Sequence, residues 1–204
     1  MPCAFHYDRP EPFDHLDSGC QFATEAGRLI ADEAGNQYCQ FHLPLDSQIR
    51  SLKDLKRTWD ATRVSEFSTA LIEFMDKAAD KDEAFDFSGV EFPGEFDFRR
   101  YIDLKNPRVF LLGETRFAEK PNFSGVRVGD HSNLEHAIFS SGANFRESIF
   151  GEECHFDRME IHHEADFYDS RFGVGSSFKD QDSKFPGIEA FLDTNPDAAP
   201  AYRS

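Results

Sequence analysis

Cys39 and His42 stand three residues apart in the phrase Tyr38-Cys39-Gln40-Phe41-His42-Leu43-Pro44. In a tight turn that spacing lets a thiolate and an imidazole reach one ion. Two more cysteines, Cys3 and Cys20, precede the phrase in a segment broken by Pro10, Pro12, Gly19, Gly27 and Gly35. Cys3, Cys20, Cys39 and His42 together offer three thiols and one imidazole, the donor set of a structural zinc site. His6 competes, because Cys3-Ala4-Phe5-His6 repeats the spacing of Cys39 to His42. Cys3 is preferred as the ligand, and whether His6 replaces one of the four stays open. The alternative is a set of buried free thiols beside a solvated histidine. Against it stands the polarity of residues 1–46, with eight acids and two bases, a segment that needs a staple to stay ordered. A catalytic zinc would keep an open position beside a general base, and the chain has no His-Glu-x2-His.

Other chemistry-bearing residues carry less. Cys154 falls at a small inward position of a repeat and reads as a buried small hydrophobe. His162-His163-Glu164 are successive residues of an extended face, so the two imidazoles point apart. Gly173-Val174-Gly175 lacks the strand-to-helix setting of a phosphate loop. The chain also lacks Gly-x-Ser-x-Gly and Gly-x4-Gly-Lys, and no catalytic residues are assigned; a non-enzymatic protein is expected. The formal charge of -16, from 38 acids against 22 bases, argues against gripping nucleic-acid backbone or an anionic membrane directly. No apolar run approaches a bilayer span, and the opening Met-Pro-Cys-Ala-Phe-His has no signal-peptide pattern. A soluble cytoplasmic protein is expected. Four cysteines without an export signal then favour metal binding over a disulfide framework.

The elements that must position these residues change character along the 204 residues. After a loop-rich knob over 1–46, a segment over 47–83 shows two helical patterns. Ile49, Leu52, Leu55 and Trp59 follow Asp46 and Ser47; Phe67, Leu71, Phe74, Met75 and Ala78 follow Ser65. From Phe85 the helical period disappears, and much of the chain's 23 Phe falls into a new spacing. Large residues at Leu112, Phe117, Phe123, Val128, Leu134, Phe139, Phe145, Phe150, Phe156, Ile161, Phe167, Phe172 and Phe178 alternate steps of five and six. Two positions before each sits a mostly small residue, with Phe110 and Met159 as exceptions. Phe87, Phe92 and Phe98 start the same pattern, and the register is lost around Asn106-Pro107. An internal repeat of this kind marks a solenoid of short strands over 84–182. Pro186 to Leu192 is expected to form a short cap and the remainder of 183–204 a mobile tail.

Ala143-Asn144-Phe145-Arg146-Glu147, Ala165-Asp166-Phe167-Tyr168-Asp169 and Ser170-Arg171-Phe172-Gly173-Val174 resemble the units of the pentapeptide-repeat family. That resemblance implies a mainly β chain whose repeats wind into a right-handed quadrilateral β-helix, four units to a coil. Leu112, Leu134, Phe156 and Phe178 should then stack in one column and Phe123, Phe145 and Phe167 in another. Strands ~4.8 Å apart make a tower only ~20 Å tall, capped by the two helices. The Cys39 to Pro44 phrase resembles an N-terminal knob ahead of some pentapeptide-repeat chains, which supports Cys39 and His42 above Cys3 and Cys20.

The implied role is a bacterial, non-enzymatic protein-interaction or scaffold protein with an unidentified protein partner. It would make no direct contact with nucleic acid or membrane, and whether it forms a homodimer stays open. Some family members resemble a DNA duplex in width and charge and occupy the DNA site of type II topoisomerases. The alternative is therefore an acidic DNA mimic acting on DNA gyrase or topoisomerase IV. The short tower and eleven interleaved bases over 84–182 weigh against it.

Overall fold

A residue that recurs every twenty-two positions meets its own kind one coil above, so a column of phenylalanines can stack ring on ring. The structure, a computed structural model, describes residues 3–7, 19–22, 29–31, 34–43, 60–81, 83–101 and 106–179. In it the chain is mainly β, a solenoid of about four turns, with one α-helix among the described residues.

The solenoid consists of two-residue strands. In one ladder β4 (Glu91–Phe92), β6 (Arg116–Phe117), β8 (Ile138–Phe139) and β11 (Glu160–Ile161) pair in parallel. A second ladder joins β7 (Arg127–Val128), β10 (Ile149–Phe150) and β13 (Arg171–Phe172). A third joins β9 (Ala143–Asn144) to β12 (Ala165–Asp166). A fourth joins β3 (Phe85–Asp86) to β5 (Phe110–Leu111) and continues as single bridges from Leu111 through Asn133 and His155 to Ser177. β1 (Ile30–Ala31) and β2 (Gln37–Tyr38) form a separate antiparallel pair in the knob.

Both anticipated columns form where rings are available. Phe98, Phe123, Phe145 and Phe167 stack at centroid distances of 4.1, 5.1 and 4.9 Å. Phe156 lies 4.6 Å from Phe178 with planes 4° apart. Two further stacks complete the interior: Phe92, Phe117 and Phe139 at 4.5 and 5.0 Å, and Phe150 on Phe172 at 4.8 Å. These spacings match the distance between hydrogen-bonded strands, so ladder and stack reinforce each other.

The polar residue preceding a central Phe has its own reason. Asn122, Asn133, Asn144 and Asp166 each accept a hydrogen bond from the backbone N–H two residues on, at 2.7 to 3.1 Å, which holds the turn. Small serines at the inward position return their hydroxyls to the carbonyl three residues back, as Ser148 does to Phe145 at 2.6 Å. No buried donor is stranded there.

The lost register resolves as an insertion. Glu91 pairs with Arg116 and Phe85 with Phe110, a separation of twenty-five residues where later coils use twenty-two. The extra chain follows Phe98, where a 3-10 turn spans Phe98–Tyr101.

Helix α1 runs Ala61–Asp80, four residues earlier than the Ser65 start read from the apolar spacing. Asp60 is its N-cap, accepting from Arg63 N–H at 2.9 Å. Ser65 lies exposed inside the helix, its carbonyl bonded by Thr69 Oγ1. Phe67, Leu71, Met75 and Ala78 are buried. The face contacts the first coil: Phe67 reaches Phe92 at 6.1 Å and Phe74 reaches Phe87 at 6.1 Å. The other expected helix, with Ile49, Leu52, Leu55 and Trp59, lies outside the described residues, as do the cap at Pro186 to Leu192 and the tail.

Candidate metal centre

The turn after Tyr38 fixes the first two donors. His42 N–H bonds the Cys39 carbonyl at 3.2 Å, which brings Cys39 Sγ to 3.3 Å from His42 Nδ1. Cys3 arrives from the N-terminal segment, which is tied to β2 by Ala4 N–H on the Gln37 carbonyl at 2.7 Å. Its Sγ lies 3.7 Å from His42 Nδ1 and accepts Cys39 N–H at 3.3 Å. Cys20 Sγ completes the group at 3.7 Å from Cys39 Sγ. The four donor atoms all lie within 4.8 Å of one another.

These distances suit one tetrahedral ion. Bonds of ~2.3 Å to sulfur and ~2.0 Å to nitrogen place neighbouring donors ~3.5–3.8 Å apart, against 3.3 to 3.7 Å here. The imidazole is held ready. His42 Nε2 lies 3.1 Å from the Ser88 carbonyl, a group that only accepts, so Nε2 carries the hydrogen and the Nδ1 lone pair faces the sulfurs. Phe5 stacks on the same ring at 3.9 Å. Gln21 Nε2 donates to the Ser88 and Asp86 carbonyls, fixing the loop that fixes His42.

The thiols titrate against one another. A hydrogen bond from Cys20, then one from Cys39, holds Cys3 well below the usual thiol range. Cys20 is pushed up to about 11, first through its bond to Cys3, and Cys39 is raised through its bonds to Cys20 and Cys3 and by burial. A divalent cation would remove this competition by stabilising all three thiolates at once. Cys3, Cys20, Cys39 and His42 could thus hold a metal ion. His6 is exposed and stands outside the group.

The remaining candidates fall apart in space. His162 and His163 are exposed, and His162 lies 2.9 Å from Glu160. Gly175 turns with φ +80° beside Val174, which is 81% exposed. Cys154 is fully buried, its thiol raised to about 12 by desolvation first. Ser88, Gln21 and Phe5 were not legible as partners of the site, since each supports His42 from a distant stretch with no local pattern.

The repeats have a counterpart among known families. The family described as pentapeptide repeats, in nine copies, matches residues 123–171. That stretch of the solenoid is a run of pentapeptide repeats. No curated protein and no solved structure matches the chain. The cluster of Cys3, Cys20, Cys39 and His42 lies ahead of these repeats and against the first coil of the solenoid, where Glu91 N–H bonds the Phe41 carbonyl at 2.8 Å. Among the described residues no helix is long and apolar enough to cross a membrane.

Proposed function

We propose that this protein is a non-enzymatic protein-interaction scaffold: a right-handed, four-sided β-helix whose first coil is capped by α1 and by a knob built on one structural zinc ion. Zinc is the choice because three thiolates and an imidazole at tetrahedral spacing form a closed set with no position left for a substrate. The observation that carries the scaffold reading is the exposure of three large apolar side chains on the last described coils. Ile149, Tyr168 and Val174 are 39, 64 and 81% exposed, while ring stacks fill the interior. Tyr168 and Val174 flank the face where Ile149 pairs with Arg171, and the Arg146 guanidinium lies 4.2 Å over the Tyr168 ring. An exposed aromatic ring beside an arginine is a pairing that protein interfaces favour. Free thiols at Cys3, Cys20, Cys39 and Cys154 agree with a reducing cytoplasm.

The topoisomerase mimic is supported by net charge alone. Several acids on the tower already face cations: Arg146 lies 3.2 Å from Glu147 and 3.9 Å from Asp166, and Arg116 lies 3.9 Å from Glu91. The test is cross-linked capture from native lysate, comparing the wild-type chain with a Tyr168→Ala, Val174→Ala double variant of unchanged circular dichroism. A specific protein held by the first at elevated salt and lost by the second supports the reading. Identical capture by both overturns it.

A further inference from the structure

The chain leading from Cys3 does not end at the sulfur cluster. Phe5 runs on over Gly89, and Tyr7, which is buried, lies over Gly113; a methyl group at either glycine would collide with the ring above it. The Tyr7 hydroxyl accepts from Asn133 Nδ2 at 3.2 Å. Residues 3–7 therefore form a strap across three successive coils. One end of the strap is Cys3, and Phe5 in the middle rests on His42.

Within the cluster, Cys20 and Cys39 have their sulfurs 3.7 Å apart, against ~2.05 Å in a disulfide. Cys20 is half-buried, whereas Cys39 is fully buried next to it. When a metal holds both sulfurs as thiolates, Cys20 is the less buried one to attack and Cys39 the neighbour to resolve.

We propose that Cys20 and Cys39 are a peroxide-sensitive pair whose disulfide expels the metal and frees the strap from the first three coils. The proposal rests on the metal centre and adds its regulation. Cys20 thiolate attacks the peroxide O–O bond, forming a sulfenic acid and releasing hydroxide. Cys39 thiolate then attacks the sulfenic sulfur and expels a second hydroxide. The two thiolates lose two electrons to hydrogen peroxide, two protons convert the hydroxides to water, and the divalent ion leaves. Cys3 and His42 alone supply two of four ligands, too few to keep it. With the ion gone, Cys3 and His42 lose their shared ligand, and the strap is left with weaker ties: its side-chain packing, the Ala4 bond to Gln37, the Cys39 N–H bond to Cys3 Sγ and the Asn133 bond to the Tyr7 hydroxyl.

The experiment takes full-length protein purified without chelator, measures its metal, and titrates it with hydrogen peroxide in the presence of a chromophoric zinc indicator. Peptide mapping locates the disulfide, and hydrogen exchange follows the Ala4 amide. The proposal expects one ion released per Cys20 to Cys39 bond and at least ~10-fold faster exchange at Ala4. Metal retained through the titration, or released with oxidation at another pair or without strap loosening, overturns the switch and leaves the metal centre standing. Protein free of metal that still forms this disulfide and loosens the strap overturns the metal centre and keeps the redox pair. Protein with neither overturns both. Cys20→Ser should abolish the disulfide, and since that variant also forfeits a ligand, the wild-type map decides. Cys154→Ser, remote from the cluster, should respond as wild type.

Discussion

Phe110 occupies an inward position that later coils fill with Ser132, Cys154 and Ser176, and it is buried. Its ring fits because the paired large position is Leu112 and because Phe85 and Phe98 receive it edge-on at 5.3 and 5.8 Å. Met159 shows the same trade beside Ile161. Both positions are held mostly by small residues in the other coils, which is why residue types alone marked both as departures. Cys154 sits in this column with its thiol raised from 9.0 to about 12, by desolvation first and by Asp130 to a lesser degree. The native state holds its proton where the unfolded chain loses it. Stability from this group is therefore complete below pH 9 and declines as pH rises from 9 toward about 12. Urea unfolding across that range should show a steeper fall for wild type than for Cys154→Ala. At the corners, Arg158 has φ +54° and is exposed. Arg158→Gly should be neutral or stabilising by up to ~1 kcal/mol in thermal melts, because a left-handed conformation strains any residue with a β-carbon.

The coil is the unit in which the repeats fold, and its stacks set its stability. Phe156 is 1% exposed, stacked on Phe178 and edge-on to Phe150 at 5.0 Å. Phe156→Ala should cost ~3–5 kcal/mol by chemical denaturation; a loss below ~1 kcal/mol would contradict the stacked interior. The columns were readable from the sequence because steps of five and six alternating through thirteen positions leave no other period. The insertion after Phe98 was visible only as lost register, since nothing local says whether a break ends a solenoid or bulges from it. The start of α1 was missed for a related reason. Val64, three residues before Phe67, is its earliest packed residue and was not read as part of that face, which left only Asp60 to mark the beginning. The strap had no signal at all: Tyr7 and Asn133 meet across 126 positions, and one extended passage over two glycines has no period.

At the scale of the molecule, knob, helix and solenoid share one continuous core that runs from Phe22 and Phe41 through Phe67 to Phe178. Of the candidate site, the four donors were legible from residue type and spacing, because few arrangements of three cysteines and a histidine satisfy polar loops. Cys39→Ser should lose the ion, measured by elemental analysis, and speed amide exchange in the described knob residues well before the later coils, since each repeat leans only on its neighbours. Equal loosening throughout would contradict that independence. The acidic surface should not act as a duplex. Asp157 accepts from Ser177 Oγ and Lys179 N–H at 2.5 and 2.6 Å, and Asp166 closes a turn on Tyr168 N–H. Purified protein is expected to leave gyrase supercoiling intact at sub-micromolar concentration; inhibition relieved by charge reversal at Asp157 and Asp166 would favour the mimic.

One ladder has a direction. Glu160 N–H bonds back to Ala137, Ile138 to Thr115 and Arg116 to Val90, and Glu91, first in line, bonds back to Phe41 in the knob. Phe41 therefore stands where a preceding coil would. The ribosome delivers residues in this same order, so each new coil leaves the exit tunnel to find its template already assembled behind it. Growth during synthesis starts from a finished seed, and no half-made tower need wait with its starting edge unmatched.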